Sequence, residues 1–527
     1  MSDHARTVKT SSGATAVQIV RYEKRKTIVI SHVGSAHTKD ALTALKEEAQ
    51  RQIEETAVQK SLFPKEKQKV SPILVINKSE YLGIRYTFIY EVLTELFTLF
   101  DFKRLNNQIL LDLVLMRIIQ PASKLESIEY LSEMFGIQHG KSSLYQALIS
   151  FPKSKGIIEK MIVAFAKQHY SFDFSIVFYD VTTLYFESFK EDEDTTMDEK
   201  GEIVSKGLRR NGFSKDNKSN QPQIMVGLMV TKEGFPVAYD IFEGNTFEGK
   251  TFIPSITKLK NTHAVETLTV VADAAMISFE NVEELREHKL SYIVGARMAN
   301  LKLDQMKEIS TRLTQQTQDM VELTKKDGIS TRIKTERGLL VCDFSLKRYR
   351  KDKREMERQI AKAEKLLAGK EGVKRTKFLM NKNKKKTEQI LNTQLIEKTK
   401  LLFGIKGYYT NLTEEPNTTI IDHYHSLWHV EKAFRIAKSD LQMRPIYHFK
   451  RQTIEAHILI CFMALVICKY MELTTEKSTK KIIKLLRSIT EARIKNKLTE
   501  EIIVMRQELP AEVEQLWKTL SVPRLSH

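Results

Sequence analysis

The chain has few cysteines and no long apolar run, and each shortage excludes a class of protein. Its 527 residues include only three cysteines, Cys342, Cys461 and Cys468, which form no C-x-x-C pair. A disulfide framework is therefore excluded, and a reducing compartment fits. The longest apolar run covers residues 458–468. Since a bilayer-spanning helix needs about 20 apolar residues, this run predicts a buried helix and no membrane partner.

Several sequence motifs are also missing. The N-terminal residues are polar and contain no apolar segment typical of a secretion signal, so an intracellular protein is expected. No Walker or dinucleotide-binding glycine motif is present, which argues against a reaction driven by ATP or NAD. His423, His425 and His429 lie close together in sequence, but no HExxH pattern or cysteine partner accompanies them, so zinc is not expected.

Positive charge is in excess and is concentrated in one segment. The net charge is +18, and residues 347–386 hold 17 Lys or Arg against 5 Asp or Glu, a net of +12. Two thirds of the excess therefore lies in this segment. An anionic polymer such as nucleic acid is the partner that this charge predicts. The alternative is a solvated, charged helix or coiled-coil arm.

The apolar pattern changes along the chain and predicts an α/β protein preceded by a helical region. We expect strands where short β-branched segments occur: 175–179, 223–231, 236–241, 267–272 and 291–296. The resulting domain limits are as follows: 1–80, a small β-plus-helix region; 81–170, helical; 171–300, the first part of a strand-rich core; 301–400, a basic insertion with one strand at 338–342; 401–475, the second part of the core, with a strand at 407–411 and helices at about 420–440 and 453–470; and 476–527, helical.

The helical region 81–170 contains the outline of a DNA-reading motif. Ser123 and Glu126 form a capping box that opens a helix, and Gly136 ends it before a second helix begins near Ser142. A helix, a short turn and a second helix predict a helix-turn-helix. Any helical bundle contains such pairs, so a purely structural role stays open.

Three acidic residues occupy positions that suit a two-metal phosphoryl-transfer site. Asp180 and Asp273 each end an apolar, strand-like run, and Glu431 lies on a predicted helix. Two neighbouring strands with a helix across them could hold these carboxylates around a pair of Mg²⁺ ions. Taken alone, each aspartate could equally be an ordinary cap or turn residue.

The predicted helix around Glu431 has an unusual face. Positions seven apart drift by only about 20° on an α-helix, so Tyr424, Glu431 and Lys438 should share one face. If Glu431 binds metal, Tyr424 and Lys438 are placed to hold a phosphate backbone on either side of it. The alternative is an amphipathic helix whose Glu and Lys side chains only reach solvent.

Together these motifs resemble the bacterial DDE transposases of the insertion-sequence-four family. The family signature Y-x2-R-x3-E-x6-K is matched in spacing by Tyr424, Leu427, Glu431 and Lys438, with a leucine where the family has arginine. Asp180 and Asp273 match the two family aspartates. The resemblance covers roughly residues 175–470 and includes two turns, 234–236 and 244–246, and the segments 434–441 and 444–448.

The resemblance implies a fold, a reaction and a set of partners. The fold would be an RNase H-like mixed sheet with an insertion between Asp273 and Glu431. Two Mg²⁺ ions, or Mn²⁺, would be held by Asp180, Asp273 and Glu431, and Tyr424, Arg435 and Lys438 would contact DNA phosphates. The substrates would be double-stranded DNA, namely the terminal inverted repeats of a mobile element and target DNA. A homodimer would pair the two ends in a synaptic complex, with a hairpin intermediate as one route.

The expected location is the cytoplasm of a prokaryote, associated with the nucleoid. Two other functions stay open. One is a structure-specific nuclease of the same fold, which would cut DNA without joining it. The other is a DNA-binding regulator derived from an inactive transposase, although all three carboxylates are present.

Overall fold

The computed structural model describes most of the chain and divides it into two compact units. The described residues are 3–23, 26–59, 78–193, 196–197, 203–205, 207–215, 218, 220–276, 279–319, 329–368, 377–381, 389–497 and 499–521. The first unit comprises Met1–Thr94, Ile128–Gln138 and Lys481–Lys518. The second comprises Glu95–Ser127, His139–Lys480 and Thr519–His527. The domain limits given above remain a prediction.

The strands of the described residues are, in chain order, β1 Asp3–Lys9, β2 Thr15–Glu23, β3 Lys26–Ala36, β4 Ser79–Arg85, β5 Ile176–Tyr185, β6 Thr196–Met197, β7 Ile203–Ser205, β8 Gln223–Val230, β9 Pro236–Glu243, β10 Thr269–Ala272, β11 Ser291–Gly295, β12 Ser330–Thr335, β13 Gly338–Phe344, β14 Leu379–Asn381, β15 Gln389–Leu391, β16 Ile405–Thr410, β17 Glu491–Asn496 and β18 Ile502–Arg506.

The α-helices are α1 Lys39–Gln59, α2 Thr87–Leu99, α3 Gln108–Ile119, α4 Lys124–Phe135, α5 Lys141–Ser150, α6 Lys155–Tyr170, α7 Glu248–Thr262, α8 Phe279–Glu287, α9 Leu303–Asp319, α10 Leu346–Leu367, α11 Thr393–Lys400, α12 Asn417–His425, α13 Trp428–Arg435, α14 Arg451–Thr475, α15 Thr479–Arg487 and α16 Ala511–Ser521. Short 3-10 turns and one π-helical turn, Ile436–Asp440, connect some of them.

The first unit contains two small sheets. Strands β1, β2 and β3 form an antiparallel sheet, and α1 packs on it through a core that includes Val17, Leu45 and Ala49. The second sheet has the order β18-β17-β4. Residues 476–527 were expected to be helical, and this prediction is wrong for β17 and β18. β17 pairs with β18 and with β4, which is remote in sequence, and this pairing outweighs local composition.

The second unit is built on an eight-stranded mixed sheet. Its strand order is β12-β13-β16-β11-β10-β5-β8-β9. Strands β5, β10 and β11 are parallel to one another, whereas β8 and β9 continue antiparallel from β5, and β16 and β13 continue antiparallel from β11. The predicted α/β class is confirmed by this sheet and the helices around it. The seven predicted strands of the core and insertion all form, as β5, β8, β9, β10, β11, β13 and β16.

The long apolar helix α14 lies in the core of the second unit. It packs against α3, α5 and β9, and 18 of its 25 residues are buried, including the whole run 458–468. By length and composition α14 is the one described helix that could span a membrane, but 94% of its most apolar window is buried inside the protein. The predicted buried helix is therefore confirmed.

The inserted region has a small core of its own. Helix α10 starts at the cap residue Ser345, whose hydroxyl accepts a hydrogen bond from the Arg348 amide. Met356 on this helix packs with Phe378 and Phe403. In the basic segment 347–386, the helix expected there forms up to Leu367, whereas residues 379–381 form β14 instead. Residues 369–376 and 382–386 lie outside the described residues. Strand β12 was not predicted.

The helix expected at about 420–440 is interrupted, which corrects one sequence inference. Helix α12 ends at His425, α13 begins at Trp428, and the π-helical turn follows. Between the two helices, backbone amides donate to the carbonyl three residues earlier instead of four, as the Leu427 amide does to the Tyr424 carbonyl. Tyr424, Glu431 and Lys438 therefore lie on three successive elements and not on one regular α-helix.

Candidate active site

The two aspartates lie side by side because of the strand register. In the parallel pair of β5 and β10, Tyr179 is aligned with Ala272. Asp180 directly follows Tyr179, and Asp273 directly follows Ala272. The two aspartates therefore lie at the same level of the sheet. Neighbouring strands are about 4.8 Å apart, so two carboxylates that are 93 positions apart in sequence are brought next to each other.

Each aspartate is oriented by the backbone that follows it. Oδ1 of Asp180 accepts a hydrogen bond of 2.7 Å from the Val181 amide, and Oδ1 of Asp273 accepts one of 2.7 Å from the Ala274 amide. The matching bonds give the two carboxylates the same local geometry. In each case Oδ2 remains for a further ligand.

Glu431 is placed by the amphipathic helix α13, which packs against β5 and β8. Val430, Ala433 and Phe434 are buried and fix the helix on the core. Their spacing leaves Glu431 on the exposed side. The third carboxylate thus stands on a rigid element next to the strand that carries Asp180.

Tyr424 is buried and holds Asp273. Its hydroxyl donates a hydrogen bond of 3.2 Å to Oδ1 of Asp273, and only 6% of the residue is exposed. This approach requires a glycine at position 295, since a Cβ there would lie 2.4 Å from the hydroxyl. Burial raises the pKa of Tyr424, and the charges of Asp273 and Glu431 raise it further, so the phenol stays a proton donor. The structure therefore shows this hydroxyl engaged with a carboxylate.

Burial is the main influence on the ionisation of Asp180. Burial raises the pKa of Asp180 to about 6, and the charges of Asp273 and Glu248 add to this shift, while Lys215 and the Val181 amide oppose it. A carboxyl group with a raised pKa beside a second carboxylate is a place where a cation would be favourable.

Lys215 provides a cation at this site that the sequence did not reveal. Its Nζ donates a 2.7 Å hydrogen bond to the Val181 carbonyl and lies 2.9 Å from a carboxylate oxygen of Glu248, the first residue of α7. Its backbone amide donates to the Thr183 hydroxyl at 3.3 Å. The only signal in the sequence was for the neighbourhood of its partner Glu248, which follows shortly after the predicted turn at 244–246. Nothing singled out Lys215.

A second cation, Lys406, stands on the Asp273 side. Its Nζ lies 4.5 Å from the centre of the Tyr424 ring. Burial lowers the pKa of Lys406 and Arg348 lowers it further, whereas Asp273 and Glu431 act in the opposite direction. Lys406 and Arg348 also line a cavity of about 550 Å³ that opens beside Asp273 and is walled partly by α10.

The other predicted DNA contacts lie just beyond Glu431. Arg435 is exposed at the end of α13, and Lys438 is half-buried in the π-helical turn. Their roles as phosphate contacts stay a prediction.

The chemistry of the donors suits a divalent metal ion. Asp180, Asp273 and Glu431 offer carboxylate oxygens, the ligands that Mg²⁺ and Mn²⁺ prefer. Within the described residues, however, no three acidic, histidine or cysteine side chains are already gathered as a finished metal site. The carboxylates have the right chemistry and neighbouring positions, and they would have to close around an ion.

Comparison with known proteins identifies the family. Residues 172–467 match the family described as "Transposase DDE domain". The chain belongs to this family. It is a DNA transposase, an enzyme that cuts and transfers DNA with the help of divalent metal ions. The matched segment, more than half of the chain, contains Asp180, Asp273, Glu431, Lys215 and Lys406.

Likeness to other proteins is otherwise slight. No curated protein sequence matches the chain. Among solved structures, a piggyBac transposase synaptic complex with hairpin DNA is 10% identical with a TM-score of 0.35, over 71% of this chain and 68% of that chain. A Mos1 mariner paired-end complex with Mn is 16% identical with a TM-score of 0.15, over 32% and 50%. A Mos1 complex with the left transposon end is 15% identical with a TM-score of 0.15, over 47% and 66%. These scores are too low to support further conclusions.

Replacing Tyr424 by Phe tests its role as a support for Asp273. The variant loses one hydrogen bond to the carboxylate and keeps the ring, so we expect DNA cleavage to fall by about 10- to 100-fold. Affinity for DNA in the absence of metal should stay unchanged. Parallel cleavage and binding assays on wild type and variant check this. A loss of affinity that matches the loss of cleavage would instead assign Tyr424 to a direct DNA contact.

Replacing Lys215 by Met tests whether this cation adjoins the ion site. Removing a positive charge beside Asp180 should tighten Mn²⁺ binding by roughly threefold to tenfold, because charge repulsion is relieved. DNA cleavage at saturating Mn²⁺ should fall, because the scissile phosphate loses a positive neighbour. Calorimetric Mn²⁺ titration and a cleavage assay give the two values.

The matched control is Lys250→Met, which removes an exposed lysine of α7. This control should change neither the affinity for Mn²⁺ nor the rate of DNA cleavage. Weaker Mn²⁺ binding by Lys215→Met would show that the lysine only supports the local fold.

Proposed function

We propose that this transposase binds the terminal inverted repeats of an insertion sequence, cleaves the element ends and joins them to target DNA. The observation that carries the proposal is the register of β5 and β10, which brings Asp180 and Asp273 together next to the helix that bears Glu431. Membership of the DDE family gives the reaction class. The insertion-sequence-four resemblance supports the assignment to a bacterial mobile element.

The catalytic core of this proposal is an RNase H-like fold. It is supported by the order β9-β8-β5-β10-β11, in which β5 is central, β8 and β9 are an antiparallel extension, and β10 and β11 run parallel to β5. In this arrangement the carboxylates of β5 and β10 start from the same level, where a substrate can approach both of them.

Asp180, Asp273 and Glu431 would hold two Mg²⁺ ions, with Mn²⁺ as a substitute. When bound, the ions would activate the attacking oxygen and stabilise the leaving 3′ oxygen. Tyr424 keeps Asp273 oriented through its hydroxyl. Lys215 and Lys406 place positive charge on two sides of the carboxylates, where the scissile phosphate must lie.

Contacts to the rest of the DNA would come from basic residues outside the carboxylates. Arg435 is exposed beyond Glu431, and Lys438 follows it on the next turn. Helices α4 and α5 are the candidate reader of the repeat sequence, and the basic helix α10 would hold the flanking backbone. The salt dependence typical of phosphate contacts is expected.

Two element ends have to be joined together, so a homodimer on DNA is the proposed working form. The proposed location is the prokaryotic cytoplasm, associated with the nucleoid. Three buried, unpaired cysteines are compatible with a reducing compartment.

A cleavage assay tests this function. The substrate is a duplex that carries one end of the inverted repeats flanking the gene, and cuts are mapped at nucleotide resolution with Mg²⁺. Wild type should cut at the repeat boundary and join the freed 3′ end to added target DNA. Glu431→Gln should bind the duplex but cut at least 100-fold more slowly, because one metal ligand is lost.

Two controls make the result specific. Glu415→Gln changes an exposed glutamate before α12 and should leave cleavage intact. Saturating Mn²⁺ should raise the melting temperature of wild type more than that of Glu431→Gln, because a ligand that binds only the folded state stabilises it. Cutting without joining would favour a nuclease, and binding without any cut would favour a regulator.

A further inference from the structure

We propose that a groove in the helical part of the second unit binds the phosphodiester backbone of DNA at a second place, apart from the catalytic carboxylates. The groove has a volume of about 900 Å³. Its walls come from the start of α4, from α5, and from the segment 447–453 that leads into α14. The inference rests on the proposed function, since it concerns how the same DNA is held.

A buried lysine at the groove has no ion pair with an acidic side chain among the described residues. Lys124 lines the groove and is only 5% exposed. Its Nζ lies 3.2 Å from Nδ1 of His457, and Nε2 of His457 lies 3.0 Å from the Met443 carbonyl. His457 must therefore donate through Nε2 and accept from Lys124 through Nδ1. This bond uses one of the three ammonium hydrogens.

Arg117 adds positive charge near Lys124. It is 5% exposed and donates to the carbonyls of Ala122 and Leu441. Burial and the charge of Arg117 lower the pKa of Lys124. His448 also lines the groove, and burial lowers its pKa to about 4, so its imidazole is neutral at pH 7. None of the residues that line the groove is acidic. A buried cation without a counter-charge is costly, and an anion in the groove would remove that cost.

Two helix starts face the same groove. Ser123 caps α4 with a hydrogen bond of 3.1 Å from the Glu126 amide, and Lys450 is the cap residue of α14 but supplies no side-chain cap. Gln452 and Thr453, in the first turn of α14, also line the groove. Because the first amides of a helix carry partial positive charge, the two starts reinforce Lys124 and Lys450 as a phosphate site.

The rim is aromatic and exposed, which favours a nucleic acid as the source of the phosphate. Tyr145 is 51% exposed, Tyr447 64% and Phe449 58%. Large aromatic side chains interleaved with cations can contact bases or deoxyribose while the cations hold phosphates. A free phosphate would use only the floor of the groove.

The groove lies within reach of DNA held at the carboxylates. The Ile446 amide donates a 3.0 Å hydrogen bond to the carbonyl of Tyr185, the last residue of β5, so the groove wall begins where β5 ends. Five residues of strand separate Asp180 from Tyr185, a span of about 17 Å. B-DNA rises about 3.4 Å per base pair. If the duplex runs along β5, as the proposal requires, the groove should meet a phosphate about five base pairs from the cut.

Lys124→Met provides the test, because Met fills the same space without the charge. Binding of the inverted-repeat duplex is measured without metal, by fluorescence anisotropy across a salt series. We expect weaker binding, a salt slope lower by about 1, and a melting temperature equal to or above that of wild type. The matched control Lys153→Met removes an exposed lysine outside the groove and should change none of these.

Two further measurements locate the contact. A neutral methylphosphonate placed about five base pairs from the cut should weaken binding by wild type but not by Lys124→Met. Tyr447→Ala changes only the exposed rim and should also weaken binding, which keeps the test valid if Lys124→Met folds poorly.

Three results would overturn the proposal. The first is wild-type affinity and salt slope in both Lys124→Met and Tyr447→Ala. The second is a lower melting temperature of Lys124→Met with unchanged DNA affinity, which would make the lysine structural. The third is binding of inorganic phosphate in the groove that DNA does not displace. If wild type itself bound no inverted-repeat DNA, the proposed function would fail as well.

Discussion

The parallel pairing of β5 with β10 is the constraint on which the rest of the site depends. It fixes Asp180 and Asp273 at one level of the sheet, although 93 positions separate them in sequence. Every other part of the site is positioned relative to this pair. Helix α13 packs on β5 and presents Glu431, Tyr424 is bonded to Asp273, and Lys215 is bonded to the backbone just beyond Asp180.

Charge balance explains why the site combines acids with lysines. Asp180, Asp273, Glu431 and Glu248 carry four formal negative charges, and Lys215 and Lys406 carry two positive ones, so the formal sum is −2. Two divalent ions would change that sum to +2, which complements an anionic phosphodiester. Lys215 pairs with Glu248 and Lys406 lies over the Tyr424 ring. Once metal is bound, both lysines add to the field that attracts DNA. The groove at Lys124 extends the same logic to a phosphate farther along the duplex.

Local signals in the sequence were enough for seven strands of the core and insertion and for singling out the three carboxylates, but not for what surrounds them. Asp180 and Asp273 could be singled out because each follows a β-branched run. Only Asp273 stands at a strand end, however, since β5 continues to Tyr185 and contains Asp180. The break between α12 and α13 could not be, because it depends on three-residue hydrogen bonds set by packing around the buried Leu427. Lys215 lies in a loop and Lys406 in a strand, and neither follows a periodic pattern. The burial of Lys124 depends on α14, which is more than 300 positions away in sequence.

The most direct test of the central claim is an anomalous-difference map from crystals of the protein with a pre-cleaved inverted-repeat end and Mn²⁺, in which a 3′-terminal dideoxynucleotide blocks strand transfer. The account predicts two peaks about 3.5–4 Å apart. The carboxylates of Asp180 and Asp273 should be ligands of these ions, and Glu431 should be a ligand of one of them. Peaks bound elsewhere, or DNA seated at the site without any peak between Asp180 and Asp273, would contradict it.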